Sequence, residues 1–392
     1  MQKGQRMNRN RRKLGLAALG ATALAWASAG AAWAQAAGPI KVGVILPLSG
    51  GAGPQGQHVT QAIQAMAALI NEDGGVLGRP LEIVARDDES TPAVGVSRAT
   101  ELVGQGVAVI LEGWNSPVAL AMQPVIHRAG VLDITLFASA DAMLSGEGNP
   151  LAMRLNASNT QGGAAVAQVI AGRLKARRVA FLTENDAYGN GTQASIEAEL
   201  KRLGHAYEKV AEEKFPFTQA DFRVALTNVR AANPEVTVAI NANEGLGMPA
   251  ILRQFKQGRV PGQLLAALGT VAPSVISVAG DAANGAMGVD IYFPDVEPFA
   301  SNPVNKRFVA KVQALHGNTP DKFMAVGAAA LQMWAMAASE LKTLEREPVA
   351  RRIRGGSFQG TVFGDVSFAP DGQLQSRTHV FQVRDGRIVV QK

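Results

Sequence analysis

The sequence predicts an α/β protein whose two lobes are each built on a parallel sheet. Three observations carry that expectation. At 392 residues the chain exceeds what one ordinary core organises, so two domains are expected. Runs rich in β-formers alternate with helix-compatible runs in two series, separated by an irregular stretch at 138–150; strands separated by helices make parallel βαβ units. The last segment changes character, with short strands joined by Asp371-Gly372 and Asp385-Gly386, pairs that suit tight hairpin turns.

The first series opens at 41–46 and continues at 81–86, 107–111 and 131–135. After its first strand, Val59, Ile63, Met66 and Ile70 fall four, three and four apart, which places them on one buried helix face. The second series has strands at 178–183, 207–212, 235–240, 263–267 and 285–291, with helices such as 193–203 and 222–232 between them. An Ala/Met-rich helix follows at 323–341, apolar on most sides and so expected inside, with Met324, Met333 and Met336 as gap-fillers. The tail strands are 362–368, 378–384 and 387–390. No short repeat, low-complexity linker or charge run divides the chain.

A net charge of +6 raises the question of a nucleic-acid partner. Lys3, Arg6, Arg9, Arg11, Arg12 and Lys13 account for all of it, and the rest of the chain is balanced, so no nucleic acid is expected. The same segment turns apolar and small from 14 to 29 and ends Ala32-Trp33-Ala34-Gln35. A basic head, an apolar middle and an A-x-A end make residues 1–34 a secretory signal peptide cleaved after Ala34. A membrane anchor would need an apolar run of roughly 20 residues. Arg11-Arg12 leaves twin-arginine export open beside the general route. The chain has no cysteine, hence neither a disulfide framework nor a lipid-modified cysteine. The mature protein is therefore expected free in the periplasm, not as a lipoprotein. His58, His127, His205, His316 and His379 show no metal-ligand spacing, so no metal is expected.

Residues 51–56, GAGPQG, match the dinucleotide fingerprint G-x-G-x-x-G. The context does not. Pro47-Leu48-Ser49-Gly50 separate the strand from Gly51, and Pro54 removes a backbone N–H from the loop. The acids ending the next strand, Asp87-Asp88, lie more than thirty residues beyond Gly51, against roughly 20 in that motif. No nucleotide and no other cofactor is expected. A glycine loop at a strand's C-terminal edge still offers N–H groups to a polar ligand, and open α/β sheets bind ligands at that edge. Asp87-Asp88-Glu89 itself reads as a solvated loop end. Gly-x-Ser-x-Gly is absent and no histidine sits in a loop cluster, so no enzyme is expected.

With these pieces assembled the chain resembles the leucine/isoleucine/valine-binding proteins, the type I periplasmic solute-binding proteins of branched-chain amino acid-type ABC importers. The matching stretches are IKVGVILPLSG (40–50), AALINEDGGVLGRPLEIVARDDESTPAVGVSRATELV (67–103), ENDAYGNG (184–191), FTQADFRVALTNVRAANPEVTV (217–238) and ISVAGDAANGAMG (276–288). The resemblance implies two doubly wound parallel-sheet lobes joined by three hinge crossovers near 155–159, 291–293 and 368–372, with the ligand cleft between the lobes. Residues 39–156 with 293–369 would form lobe 1, and 157–292 with 370–392 lobe 2. It also implies a monomer that closes on a small-molecule solute and delivers it to an ABC permease in the inner membrane.

Carried over position by position, the resemblance makes Ser116 in EGWNSP the hydroxyl that donates to a solute carboxylate, with Asn115 a near alternative. Phe137, Ala138 and Ser139 would hold the solute's polar head, Tyr188 and Phe323 would line its pocket, and Gln55 falls where relatives often carry an aromatic. Trp114 adds an aromatic face beside Ser116. Bland alternatives stand beside each: Ser116 could cap the following helix, Tyr188 could cover a lobe edge, Trp114 could be core, and Glu244 could stand solvated at a helix start. Leu268 departs from the family pattern, because relatives place there the acid that pairs with the solute's α-ammonium. A buried ammonium without a partner costs several kcal/mol. Either another acid takes over, Glu244 first and Asp186 or Glu112 behind it, or the solute carries no ammonium. The expected solute is a small carboxylic acid or amide, aromatic as one option; a true branched-chain amino acid receptor and a soluble sensor feeding a regulator or kinase are the alternatives.

Overall fold

The computed structural model describes residues 38–144 and 149–391. The expected signal peptide and its cleavage point lie outside the described residues. The first sheet is wholly parallel and contains β1 (Ile40–Leu46), β2 (Leu81–Asp87), β3 (Val109–Glu112), β4 (Leu132–Thr135) and β5 (Ala152–Arg154), in the order β2-β1-β3-β4-β5. β1 is apolar almost throughout and buried on both faces, as a central parallel strand must be. The helices α1 (Gly53–Glu72), α2 (Pro92–Gly104) and α3 (Ser116–Arg128) connect its strands. β5 is a three-residue strand that the sequence pattern does not disclose.

The second sheet has β6 (Arg178–Glu184), β7 (Glu208–Phe215), β8 (Val236–Ile240), β9 (Gln263–Ala266) and β10 (Met287–Asp290), all parallel. Between and before them run α4 (Asn159–Gln168, continued by a wider turn at Val169–Leu174), α5 (Ala187–Arg202), α6 (Arg223–Ala231), α7 (Gly247–Gln257) and α8 (Pro273–Ala279). The chain then returns to the first lobe through α9 (Pro303–His316), α10 (Lys322–Leu341) and α11 (Arg346–Ile353). The expected interior helix is α10, buried from Lys322 through Leu331. It lies so close to α1 that a Cβ on Gly327 would stand 2.7 Å from Val59 Cγ1.

The tail differs from the sequence expectation in one respect. The single strand expected at 362–368 is a hairpin, β11 (Ser357–Thr361) with β12 (Gly364–Phe368), turned at Val362-Phe363. β13 (Leu374–Gln375) pairs antiparallel with β12 to complete a small sheet. β14 (His379–Arg384) and β15 (Arg387–Val390) then join the edge of the second large sheet, antiparallel to β10. Their turn has Asp385 at φ 49° and Gly386 at φ 69°, the left-handed pair that a two-residue hairpin requires.

The chain passes between the two large sheets at 155–158, 291–302 and 376–378. The third passage comes later than the 368–372 implied by resemblance, because buried Leu374 first pairs with Phe368. These straps lie side by side in the order first, third, second: Arg154 bridges Gln373, and Asp290 pairs with His379. Arg154, 2% exposed, donates from Nε to Gln373 Oε1 at 2.7 Å and from Nη1 to the Ala140 carbonyl at 2.7 Å. Gln373 Nε2 in turn donates to the Asn156 carbonyl at 2.8 Å. Burial lowers the Arg154 guanidinium to about 10, and the oxygens that accept from it in this clasp are neutral carbonyl and amide oxygens.

Candidate functional site

The C-terminal ends of β3 and β4 in the first lobe face those of β6, β8 and β9 in the second across a small cavity of about 30 Å³. Trp114, Asn115, Ser116, Phe137 and Ser139 line it from the first lobe, and Tyr188, Glu244 and Leu268 from the second, with Phe323 at the start of α10. Two sequence candidates stand outside it. Ala138 is buried, its N–H donating to the Gly113 carbonyl and its own carbonyl accepting from Arg154. Gln55 sits where the glycine loop meets the second lobe, near Gly245. Five further residues complete the lining: Asn156, Asp186, Ala242, Thr270 and Lys322. Of these the sequence points only to Asp186, as a secondary acid.

The lobes are in contact at this edge. Trp114 Nε1 donates to the Ala242 carbonyl across the interface at 3.3 Å. A Cβ on Gly245 would stand 1.8 Å from the Gly51 carbonyl oxygen. The glycine loop thus serves close approach between the lobes.

An aromatic cluster forms one wall. Trp114 stacks on Phe323 at 4.9 Å and 28°, and Phe137 meets both rings edge-on at 4.8 and 5.3 Å. Ser116 does not cap α3; its Oγ accepts from the Ala140 N–H at 3.2 Å, which leaves its own proton free to donate. Ser139 donates to the Phe137 carbonyl at 3.1 Å and accepts from Asn156 Nδ2 at 3.2 Å, so its donor is already committed. Four buried polar atoms at the cavity have no hydrogen-bond partner among the described residues: Asn115 Oδ1, Asn156 Oδ1, Tyr188 OH and Glu244 Oε2. Native interiors leave few such atoms, and a cluster of them calls for an explanation.

Lys322 is the feature sequence reasoning missed. Its side chain is 3% exposed, with Nζ 3.9 Å from the centroid of Phe323 and 5.8 Å from that of Phe137. No salt bridge reaches it among the described residues. Burial lowers its pKa against the pull of Asp290, Glu244 and Asp321. Those acids respond in kind: burial raises Glu244 to about 8 and Asp290 to about 6, with Lys322 working against the rise in both. Burial, then Asp186 beside it, raises Glu184 to about 9, while its Oε2 accepts from the Ala242 N–H. Asp186 caps α5 through a bond from the Gly189 N–H at 2.8 Å. Tyr188 is held protonated by burial and by neighbouring Glu244, Glu184 and Asp186.

Two acids depart from the sequence reading. Asp88 is fully buried rather than solvated, and burial lifts it to about 7. Glu112 does not reach the cavity: it accepts from Thr135 Oγ1 at 2.7 Å inside the first lobe and shares a buried site with Asp133. Burial raises both, Asp133 to about 7 and Glu112 well above its ordinary range, and His127 Nε2 lies 3.4 Å from Asp133. Both carboxyls hold their protons more tightly folded than unfolded. The stability they lend is complete below the unfolded carboxylate range and is lost as pH rises through about 7. The melting temperature is expected to fall by on the order of 5 °C between about pH 5 and about pH 8. The double variant Glu112→Gln, Asp133→Asn should make that slope shallower in thermal scans, with buried Asp88 and Asp290 keeping a remainder; an unchanged slope would show that the pair does not contribute to it.

The family model described as periplasmic binding protein matches residues 39–387. The Leu/Ile/Val-binding protein homolog 1 of Brucella suis is 25% identical over 343 residues, covering 88% of each chain. The crystal structure of a leucine binding protein from Thermotoga maritima superposes with a TM-score of 0.79 at 26% identity, covering 90% of this chain and 98% of that one. A solute binding protein of an R. palustris ABC transporter, in complex with benzoate, superposes with a TM-score of 0.81 at 22% identity, covering 90% and 95%; that likeness is one of fold.

Proposed function

The chain belongs to the periplasmic binding protein family, and from that premise we propose that it is the receptor of an ABC importer for a small organic carboxylate lacking an α-ammonium group. The solute would be captured between the lobes and handed to a permease in the inner membrane. The observation that carries this reading is Lys322, a buried ammonium at the cavity that no salt bridge neutralises among the described residues. A carboxylate lying against it supplies the missing countercharge, and the free proton of Ser116 supplies a donor. An amino acid would bring a second ammonium into the same space, against a wall that is leucine at 268. The rings of Trp114 and Phe323 favour a flat apolar body. Glu244, largely protonated at neutral pH, suits a hydroxyl or amide on the solute. The benzoate complex of the R. palustris protein is in keeping with such a solute.

One observation favours a second reading, a branched-chain amino acid receptor: Glu244 Oε2 is unpartnered and could ionise against an arriving ammonium. Calorimetry with ring-bearing carboxylates, leucine and valine across neutral and alkaline pH separates the two. A carboxylate solute should bind best below about pH 8 and weaken above it, as Glu244 becomes an anion. An amino acid would instead bind more tightly as pH rises towards 8, releasing the Glu244 proton. Tight binding of leucine or valine with that rising profile, and silence from the simple acids, would end the carboxylate reading.

A further inference from the structure

Lys322 is a wall of two spaces. On one side lies the small cavity of about 30 Å³. On the other, between the lobes and beside the second strap, lies a groove of about 640 Å³. Ile276 and Ser277 of α8 form its second-lobe side, Val309 of α9 its first-lobe side, and Tyr292 and Phe293 of the strap its floor. That volume falls within the roughly 300–1,000 Å³ typical of small-molecule pockets, and interfaces between domains are where such pockets concentrate. By contrast, a cavity of roughly 150 Å³ is what admits a single benzene ring.

The partition between the spaces is light. Lys322 is the one residue lining both. Neither a hydrogen bond nor a salt bridge pins its ammonium among the described residues; it rests on the faces of Phe323 and Phe137. Lys322 is thus the side chain that would have to move for cavity and groove to join.

We infer that the groove is a subsite for the solute's tail: the ligand is an elongated organic acid whose carboxylate is held at the central cavity while its apolar body runs past Lys322, the tail beyond the first ring lodging in the groove. This rests on the carboxylate reading of the central site and extends it. A tail lodged there touches α8 from one lobe and α9 from the other. It therefore adds binding energy only when the lobes are together, and so favours closure.

The test is a calorimetric series of benzoates bearing para n-alkyl chains from methyl to pentyl, on the full mature protein. Affinity should rise roughly fourfold for each methylene that enters the groove. Two variants fill the groove from opposite sides: Val309→Trp, at a half-buried position, and Ser277→Trp, at an exposed one. Both should abolish the gain with chain length yet bind unsubstituted benzoate within about twofold of the parent protein. Benzoate binding with no gain from the chain, or a gain that survives both tryptophans, overturns the tail subsite alone. Failure of every member to bind, benzoate included, overturns the carboxylate reading and the subsite with it.

Discussion

Replacing Lys322 by methionine is expected to weaken carboxylate binding by roughly thirtyfold or more while leaving the fold at least as stable as before. Truncating one partner of a buried charge pair typically costs 2–5 kcal/mol. Stability should move the other way, because the substitution keeps side-chain length and removes the cost of burying an ammonium with no salt bridge. The opposed signs matter: a lysine that served only the fold would lose both properties together. Calorimetry with benzoate and thermal unfolding without solute read the two quantities. Undiminished affinity in the variant would remove Lys322 from the site.

A second substitution acts on closure alone. Gly245→Ala places a methyl group 1.8 Å from the Gly51 carbonyl oxygen, with Gln55 Oε1 at 3.3 Å. The nearest atom is backbone, so it cannot swing aside, and the lobes must stay apart by enough to clear it. Nothing in the second lobe itself clashes with that methyl at such range. Each lobe should therefore fold as before, while solute affinity drops by roughly tenfold or more, mainly through faster release. Stopped-flow fluorescence of Trp114, whose indole bonds across the interface to Ala242, measures both rates. An unaltered release rate would mean that the lobes close without meeting at Gly51 and Gly245.

The large-scale pattern was legible because it rests on local physics. β1 announces itself as a continuous apolar run, and α1 by its four-three-four spacing. α10 shows itself by the absence of any polar face. What escaped notice lacks such signals. β5 is too short to display a period. The β11–β12 turn is made of Val362 and Phe363, which are buried and carry no turn signature. Asp88 and Glu112 look like surface acids in sequence, and only the closing of helices over the sheet buries them. Of the site, resemblance supplied Ser116, Tyr188, Glu244 and Phe323, but Lys322 follows Asp321 at a helix start, where a charged pair is ordinarily solvated. Its adjacency to Phe323 was the one available hint. Asn156, in the first strap, was likewise open to inspection as a polar residue at an expected hinge.

The arrangement of the three straps has a mechanical consequence. Because Arg154 ties the first to the third and His379 pairs the third with the second at Asp290, they form a ribbon one strand thick and three wide. A ribbon flexes easily across its thin dimension and resists shearing within its own plane. Such a ribbon leaves one soft degree of freedom, a swing like a book about its spine, through which occupancy under the proposed function would be expressed outwardly as a single angle.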